Sequence, residues 1–296
     1  MMKYSGSGEI HNMVLSARES RDLVDMVEGG DEYENDVVYL TLSGSRLGGY
    51  AKPDSDIDVR GTFIAPLNRI IGLGCARNVY ENKIAIRDLI CDISVNDISK
   101  TIGLLISNNS NEYEHVMNPT PIASENSVMP HLVKFAHKAL TNKVCNSFRG
   151  IAYSHFQNRL SKKSFANRST EDISLKDLFY IYRPLMAGIH LMETGKFESN
   201  IVRLNGYFHD DLIEGMIEWR SQGAITLPMD LGLEGVTQKA EELFQRIDFS
   251  AEQTTKVFRD DDSTPNQVRK TFHESVMKSG NDLLIWARSC NEGSYG

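Results

Sequence analysis

The sequence predicts an α+β protein: a small mixed β-sheet domain with flanking helices over residues 1–122, then an α-helical domain over residues 123–296. Three observations carry this. Short runs rich in β-branched and aromatic residues cluster before residue 96. Helical periodicity dominates after residue 128. Between them, residues 118–127 hold Pro119, Pro121 and few large apolar side chains, which reads as a domain boundary.

Taken in order, residues 11–28 form an amphipathic helix (Leu15, Leu23, Val24, Val27) stopped by Gly29-Gly30. Val37–Leu42 is a strand, and the Gly-rich polar stretch Ser43–Asp54 is a turn that opens a short helix at most. Asp56–Ile64 alternates and forms a second strand; 79–86 and 88–95 form two more. A helix over 97–106 follows, capped by Asn96 or Asp97. Helices are then expected over 128–146, 148–162, 174–194, 207–221, 234–247 and 267–289, with a kink or break at Pro184.

The chain has 296 residues, 41% of them hydrophobic and 24% charged, which excludes a disordered protein. No stretch approaches the roughly 18 apolar residues of a membrane span. Met1–Asn12 lacks the basic-then-apolar order of a secretory signal. Cys75, Cys91, Cys145 and Cys290 show neither zinc spacing nor a disulfide framework, so a cytoplasmic location is expected. The histidines show no metal spacing either.

The net charge of -8 disfavours a protein that coats nucleic acid non-specifically. The charge is uneven, however. Lys134 to Arg168 contains eight Lys/Arg residues (Lys134, Lys138, Lys143, Arg149, Arg159, Lys162, Lys163, Arg168) and no acid. Phe135, Phe148, Tyr153, Phe156 and Phe165 are interleaved with them. Cations for phosphates and rings for bases make this window the expected RNA contact, although the rings serve equally as helix core.

The most informative segment runs from Leu42 to Gly61. A strand leads into Gly44-Ser45, where glycine lets the backbone approach a ligand and serine offers a hydroxyl and an N–H. Twelve residues after Gly44 comes Asp56, then Asp58. Residues i and i+2 of a strand share a face, so the two carboxylates converge. Converging carboxylates repel unless a cation lies between them, and Mg²⁺, which takes oxygen ligands, suits the place. Competing motifs fail on spacing. A calcium loop from Asp54 would need glycine sixth and an acid twelfth, where Val59 and Ala65 stand. A P-loop would need Gly-Lys, but Gly49 is followed by Tyr50.

This segment resembles the nucleotidyltransferase superfamily typified by DNA polymerase β, whose signature is Gly-Ser, a spacer and Asp-x-Asp. Within it the chain looks most like the RNA-repair-pathway polymerase β family. The supporting run is Gly44-Ser45-Arg46, Gly49-Tyr50 and Pro53-Asp54-Ser55-Asp56-Ile57-Asp58-Val59-Arg60-Gly61. Asp92-Ile93-Ser94, Asn118-Pro119 and Lys176, Tyr180, Arg183-Pro184-Leu185 extend it, so the resemblance covers roughly residues 36–196.

The resemblance implies that Asp56 and Asp58 hold two Mg²⁺ ions (Mn²⁺ as a substitute) together with a third carboxylate. Asp92 is favoured because it leads into Ile-Ser-Val and a helix; Asp88, expected on the same strand face, stays second. It further implies that Gly44 and Ser45 seat the phosphates of a nucleoside triphosphate, that Lys176 reaches them, and that Tyr180 lies near base or sugar. Arg46 and Arg60 are further candidates for the triphosphate, Arg60 being placed to brace either a carboxylate or a phosphate. Lys176, Tyr180 and Arg183 fall at i, i+4 and i+7, one helix stripe. The expected activity is NMP transfer from an NTP to an acceptor with release of pyrophosphate, RNA being the favoured acceptor. The alternatives are a protein or small-molecule hydroxyl as acceptor, and a catalytically silent NTP-binding module.

Overall fold

A computed structural model describes residues 15–29, 35–71, 78–117, 121–123, 127–160, 173–227 and 233–292. Helix α1 (Ala17–Glu28) begins at a capping box: the Ser16 hydroxyl accepts the Glu19 N–H, and the Glu19 carboxylate accepts the Ser16 N–H at 2.7 Å. Residues 11–14 of the expected helix lie outside the described residues. Strand β1 (Asp36–Leu42), helix α2 (Gly44–Gly48), strand β2 (Ile57–Ile64) and helix α3 (Leu67–Ile71) follow. Next come the hairpin β3 (Val79–Ile86) and β4 (Leu89–Asp97), helices α4 (Ile98–Ile106) and α5 (Ser110–Met117), and strand β5 (Pro121–Ala123). Asp97 caps α4 by accepting the Ser99 N–H.

The five strands form one sheet in the order β3-β4-β2-β1-β5. β2 and β4 run parallel, and the other pairs are antiparallel. The proline-bearing segment expected as a linker therefore supplies an edge strand, Pro121 being tolerated there because an edge needs no second donor. The boundary between residues 122 and 123 falls inside this strand.

Period-two alternation gives the sheet two unlike faces. Leu40, Leu42, Ile57, Val59, Phe63, Cys91, Ile93 and Val95 bury one face with Leu23 and Val27 of α1. Tyr39 and Thr62 stand on the other and are fully buried against α4 and α5. There the Tyr39 hydroxyl donates to Glu112 at 3.3 Å and Asn96 donates to it at 3.1 Å, while Thr62 and Thr101 bond at 2.7 Å.

Burial pushes the Glu112 carboxyl up to about 7, against the hydrogen bonds that favour its charged form. A raised carboxyl stabilises the fold most below its unfolded value near 4.5 and loses that contribution as pH rises to about 7. The shift corresponds to about 3 kcal/mol. Glu112→Gln is expected to remove most of this pH dependence. Thermal melts at pH 5 and pH 8 check it: the wild type should lose more stability than the variant, and parallel losses would refute the assignment.

The remaining helices are α6 (Met129–Ala139), α7 (Val144–Arg159), α8 (Leu175–Thr194), α9 (Ile201–Phe208), α10 (Asp211–Ser221), α11 (Leu233–Gln253) and α12 (Asn266–Glu292). The helix expected over 128–146 stops early because Leu140 turns extended and Thr141 bridges Phe258. The one expected over 207–221 divides at His209, which adopts φ +53°, and Asp210 caps the second half. α8 runs through Pro184 without ending. Its buried Leu178, Phe179 and Tyr182 share one core with Val38, Tyr39, Tyr50 and Ile64, so the helices and this face of the sheet belong to one core. Among the described residues no helix is long and apolar enough to cross a membrane.

Candidate active site

The site starts from strand register. Asp58 and Asp92 are partners across the parallel β2–β4 ladder, and paired residues project to the same face. Asp56 sits two residues earlier, just before β2, and is exposed. Burial raises the Asp58 carboxyl above its usual range; Arg60 opposes this, Asp92 and Asp56 add to it, and Lys176 opposes it. Asp58 thus stands where residues of β2, β4 and α8 meet. Asp88 is excluded from that face: it lies in the two-residue β3–β4 turn, after Arg87 at φ +56°, and is exposed. The strand alternation expected to align it with Asp92 begins only at Leu89.

The chain entering from β1 is fastened to the backbone of Asp58 and passes close to its carboxylate. The Ser43 N–H donates to the Asp58 carbonyl at 2.8 Å. Gly44 follows at φ +60°, and a Cβ there would lie 2.0 Å from Asp58 Oδ2. Only glycine allows this backbone to pass so near the carboxylate. The Ser45 hydroxyl, half-buried, makes no hydrogen bond among the described residues. α2 then closes on Gly49 at φ +76°, packed against Asn200.

Arg46 is buried and spent on backbone: its Nε donates to the Asp56 carbonyl at 3.1 Å and its Nη2 to that of Ser55. It clamps the loop that presents Asp56. Arg60 does share the face of Asp58. Its Nη2 lies 3.0 Å from Asp92 Oδ2 and 3.5 Å from Asp58 Oδ1, and its Nη1 donates to the carbonyls of Asp92 and Val59.

From α8, Lys176 is exposed and holds its Nζ 5.9 Å from the Tyr180 ring centre. Tyr180 is half-buried, stacks on His155 at 4.7 Å and meets Tyr50 edge-on at 6.2 Å. Arg183 leaves the expected stripe. It is 9% exposed and ion-paired to Glu114, which also accepts from Ser199 at 2.9 Å. Its Cδ lies 3.2 Å from where a Gly48 Cβ would be, so it supports α2 from the core side instead of reaching substrate.

Two supporting residues of α5 escaped the sequence reading. Glu114 anchors Arg183, and His115 lies 2.8 Å from the Ser43 hydroxyl. His115 is half-buried, and desolvation, Arg60 and Arg183 push it down to about 3, so its ring is neutral at physiological pH. The only sequence signal was acids placed inside an otherwise packing helix, Glu112-Tyr113-Glu114.

The oxygen donors of Asp56, Asp58 and Asp92 suit a hard divalent cation. Among the described residues, however, no group of three or more His, Cys, Asp or Glu side chains is closed around a cation position. The Arg60 guanidinium lies between the two strand carboxylates.

Three of the cations of the basic window are compensated among the described residues. Lys143 pairs with Asp260 at 2.8 Å, Arg149 with Asp248 at 2.9 Å and Arg159 with Asp177 at 3.4 Å. Phe135 and Phe148 are core, and only Tyr153 of the described rings is largely exposed. Lys134 and Lys138 on α6 are exposed and without an ion pair among the described residues. Lys162, Lys163, Phe165, Arg168 and Asn118-Pro119 lie outside the described residues.

Comparison with known proteins gives a family. A model described as the RNA repair pathway DNA polymerase beta family matches residues 19–264. An uncharacterized protein of Methanocaldococcus jannaschii is 25% identical over 183 residues, covering 61% of this chain and 71% of that one. The uncharacterized protein YcgL of Bacillus subtilis is 22% identical over 249 residues, covering 82% and 92%. A solved nucleotidyltransferase-like protein from Exiguobacterium sibiricum aligns with a TM-score of 0.30 at 12% identity, over 80% of this chain and 74% of that one.

Proposed function

The chain belongs to the RNA repair pathway DNA polymerase beta family, and from that premise we propose that it transfers an NMP from an NTP to an RNA hydroxyl with release of pyrophosphate. The observation that carries this is the register pair Asp58–Asp92 with the Gly44 turn seated against the Asp58 carboxylate. Asp56, Asp58 and Asp92 would hold divalent cations, Mg²⁺ or Mn²⁺, whose chemistry is to neutralise phosphate charge and acidify the acceptor hydroxyl.

The chain's own contribution is positioning and charge. Gly44 opens the backbone toward the phosphates, and the unengaged Ser45 hydroxyl is available to them. Lys176 adds a cation at the rim, and Tyr180, stacked on His155, gives base or sugar an aromatic wall. Arg46 fixes the Asp56 loop, and Arg183 fixes α2. Asp56, Asp58 and Asp92 are balanced in formal charge by Arg46, Arg60 and Lys176, the cations that act on them. A neutral site suits a neutral package of NTP⁴⁻ with two divalent cations.

The acceptor is tested by incubating the protein with each α-³²P NTP and total RNA across a salt series. Labelled RNA is expected, with binding that falls steeply with salt as phosphate contacts release counterions. One observation favours a second reading. Among the described residues, Lys143, Arg149 and Arg159 pair with acids, which leaves Lys134 and Lys138 as the unpaired cations of the window there. Label on a protein side chain or a small hydroxylated molecule, insensitive to salt, would select that reading and reject RNA.

A further inference from the structure

We infer that Arg60 is the built-in counter-ion of the metal-free site: its guanidinium occupies the bridging position between Asp58 and Asp92, and a divalent cation can bind there only by displacing it. The inference rests on the reading of these carboxylates as cation ligands and adds an internal competitor to it.

The geometry is specific. Asp58 and Asp92 are register partners on neighbouring parallel strands, so their carboxylates are held side by side by backbone hydrogen bonds. Arg60 is two residues beyond Asp58 on the same strand and therefore on the same face. Its Nη2 reaches Asp92 Oδ2 at 3.0 Å and Asp58 Oδ1 at 3.5 Å. Its Nη1 is held at 2.9 Å by the Asp92 carbonyl and at 2.8 Å by that of Val59. The guanidinium is thus anchored over the pair, with Nη2 toward both carboxylates and Nη1 on two backbone carbonyls, a division of donors that its planar fork allows and an ammonium does not. Lone pairs that would face a cation face this guanidinium instead.

Among the described residues no other cation is ion-paired to either carboxylate. Arg46 is committed to the carbonyls of Ser55 and Asp56, and Lys176 is exposed at the start of α8. Two consequences follow. A bare divalent cation binds weakly, because it competes with a positive charge fixed to the protein. An NTP strengthens cation binding, because its phosphates give the released guanidinium a new partner; by linkage the cation strengthens NTP binding equally.

The test measures Mn²⁺ alone, by titration calorimetry, on the full chain as wild type, Arg60→Gln, Arg60→Lys and Asp58→Asn, with melts in EDTA. Arg60→Gln is expected to bind Mn²⁺ about tenfold more tightly than wild type, the scale of one removed like charge near a partly solvated site. Its metal-free form should melt lower, and a non-hydrolysable NTP should tighten Mn²⁺ less than it does for wild type. Arg60→Lys keeps the charge but not the fork, and its affinity should fall between the two; it carries the test if Arg60→Gln does not fold. Equal or weaker Mn²⁺ binding by both Arg60 variants, with binding lost in Asp58→Asn, overturns the inference alone. Wild type and Asp58→Asn binding Mn²⁺ equally, or no Mn²⁺ binding by wild type and by both Arg60 variants, overturns the ligand assignment itself.

Discussion

Asp58→Asn is expected to lower nucleotidyl transfer by on the order of 10³-fold or more, the scale of several kcal/mol of charge stabilisation lost from the transition state. The same change should leave the fold at least as stable at neutral pH. Burial raises the Asp58 carboxyl, so the folded protein holds this charge at a cost, with Asp92 and Asp56 adding to it. Asparagine keeps the shape and removes the charge, and Arg60 retains Asp92 as its partner. Loss of activity with unchanged or higher Tm is the signature of a functional charge placed against stability. Loss of activity accompanied by unfolding would instead make Asp58 a structural residue. Retained activity would remove it from the site.

The second large effect is expected of Gly44→Ala. The position has φ +60°, where an L side chain costs about 1–2 kcal/mol. The added methyl would also lie 2.0 Å from Asp58 Oδ2 and 2.9 Å from its Cγ. Either the turn or the carboxylate must move, and both belong to the site. A fall in Tm of several degrees is expected together with activity loss approaching that of Asp58→Asn. A melt alongside an activity assay decides it. An alanine variant with a substantial fraction of wild-type activity would show that the Gly44 backbone need not pass so close to Asp58.

How much of this was legible in the sequence follows from the range of each interaction. Gly44-Ser45 and Asp56-x-Asp58 are local patterns, and their spacing alone pointed to carboxylates sharing a face near a Gly-rich turn. Asp92 needed family resemblance, because a parallel partnership with Asp58 is a register between strands separated by a hairpin. Asp88 misled because strand periodicity was carried one residue too far: the turn at Arg87-Asp88 takes it off the strand. Arg183 misled because a stripe drawn at i, i+4 and i+7 assumes a uniform surrounding. α8 is exposed at Lys176 and enters the core by Arg183.

The basic window shows the same limit for charge. A run of 35 residues without an acid is basic along the chain, yet Asp177, Asp248 and Asp260, all outside it, neutralise three of its cations. β5 was hidden by Pro121, most of α9 was missed, and its last two residues were joined to α10 because a left-handed His209 has no sequence signature as plain as glycine. The sheet order and the single core shared by α8 and the sheet rest on contacts between distant segments, which periodicity does not encode.

The central claim is that the reaction occurs at the α-phosphorus of an NTP. The most direct measurement is a pair of incubations with Mg²⁺ and acceptor, one with α-³²P NTP and one with γ-³²P NTP, each with an Asp56→Ala/Asp58→Ala control. The account predicts α-label in the acceptor and γ-label in pyrophosphate, in equal amounts, both lost in the control. γ-label in the acceptor, or free orthophosphate with the α-label left in NDP, would contradict it, and intact NTP binding without any transfer would leave the chain a silent NTP-binding module.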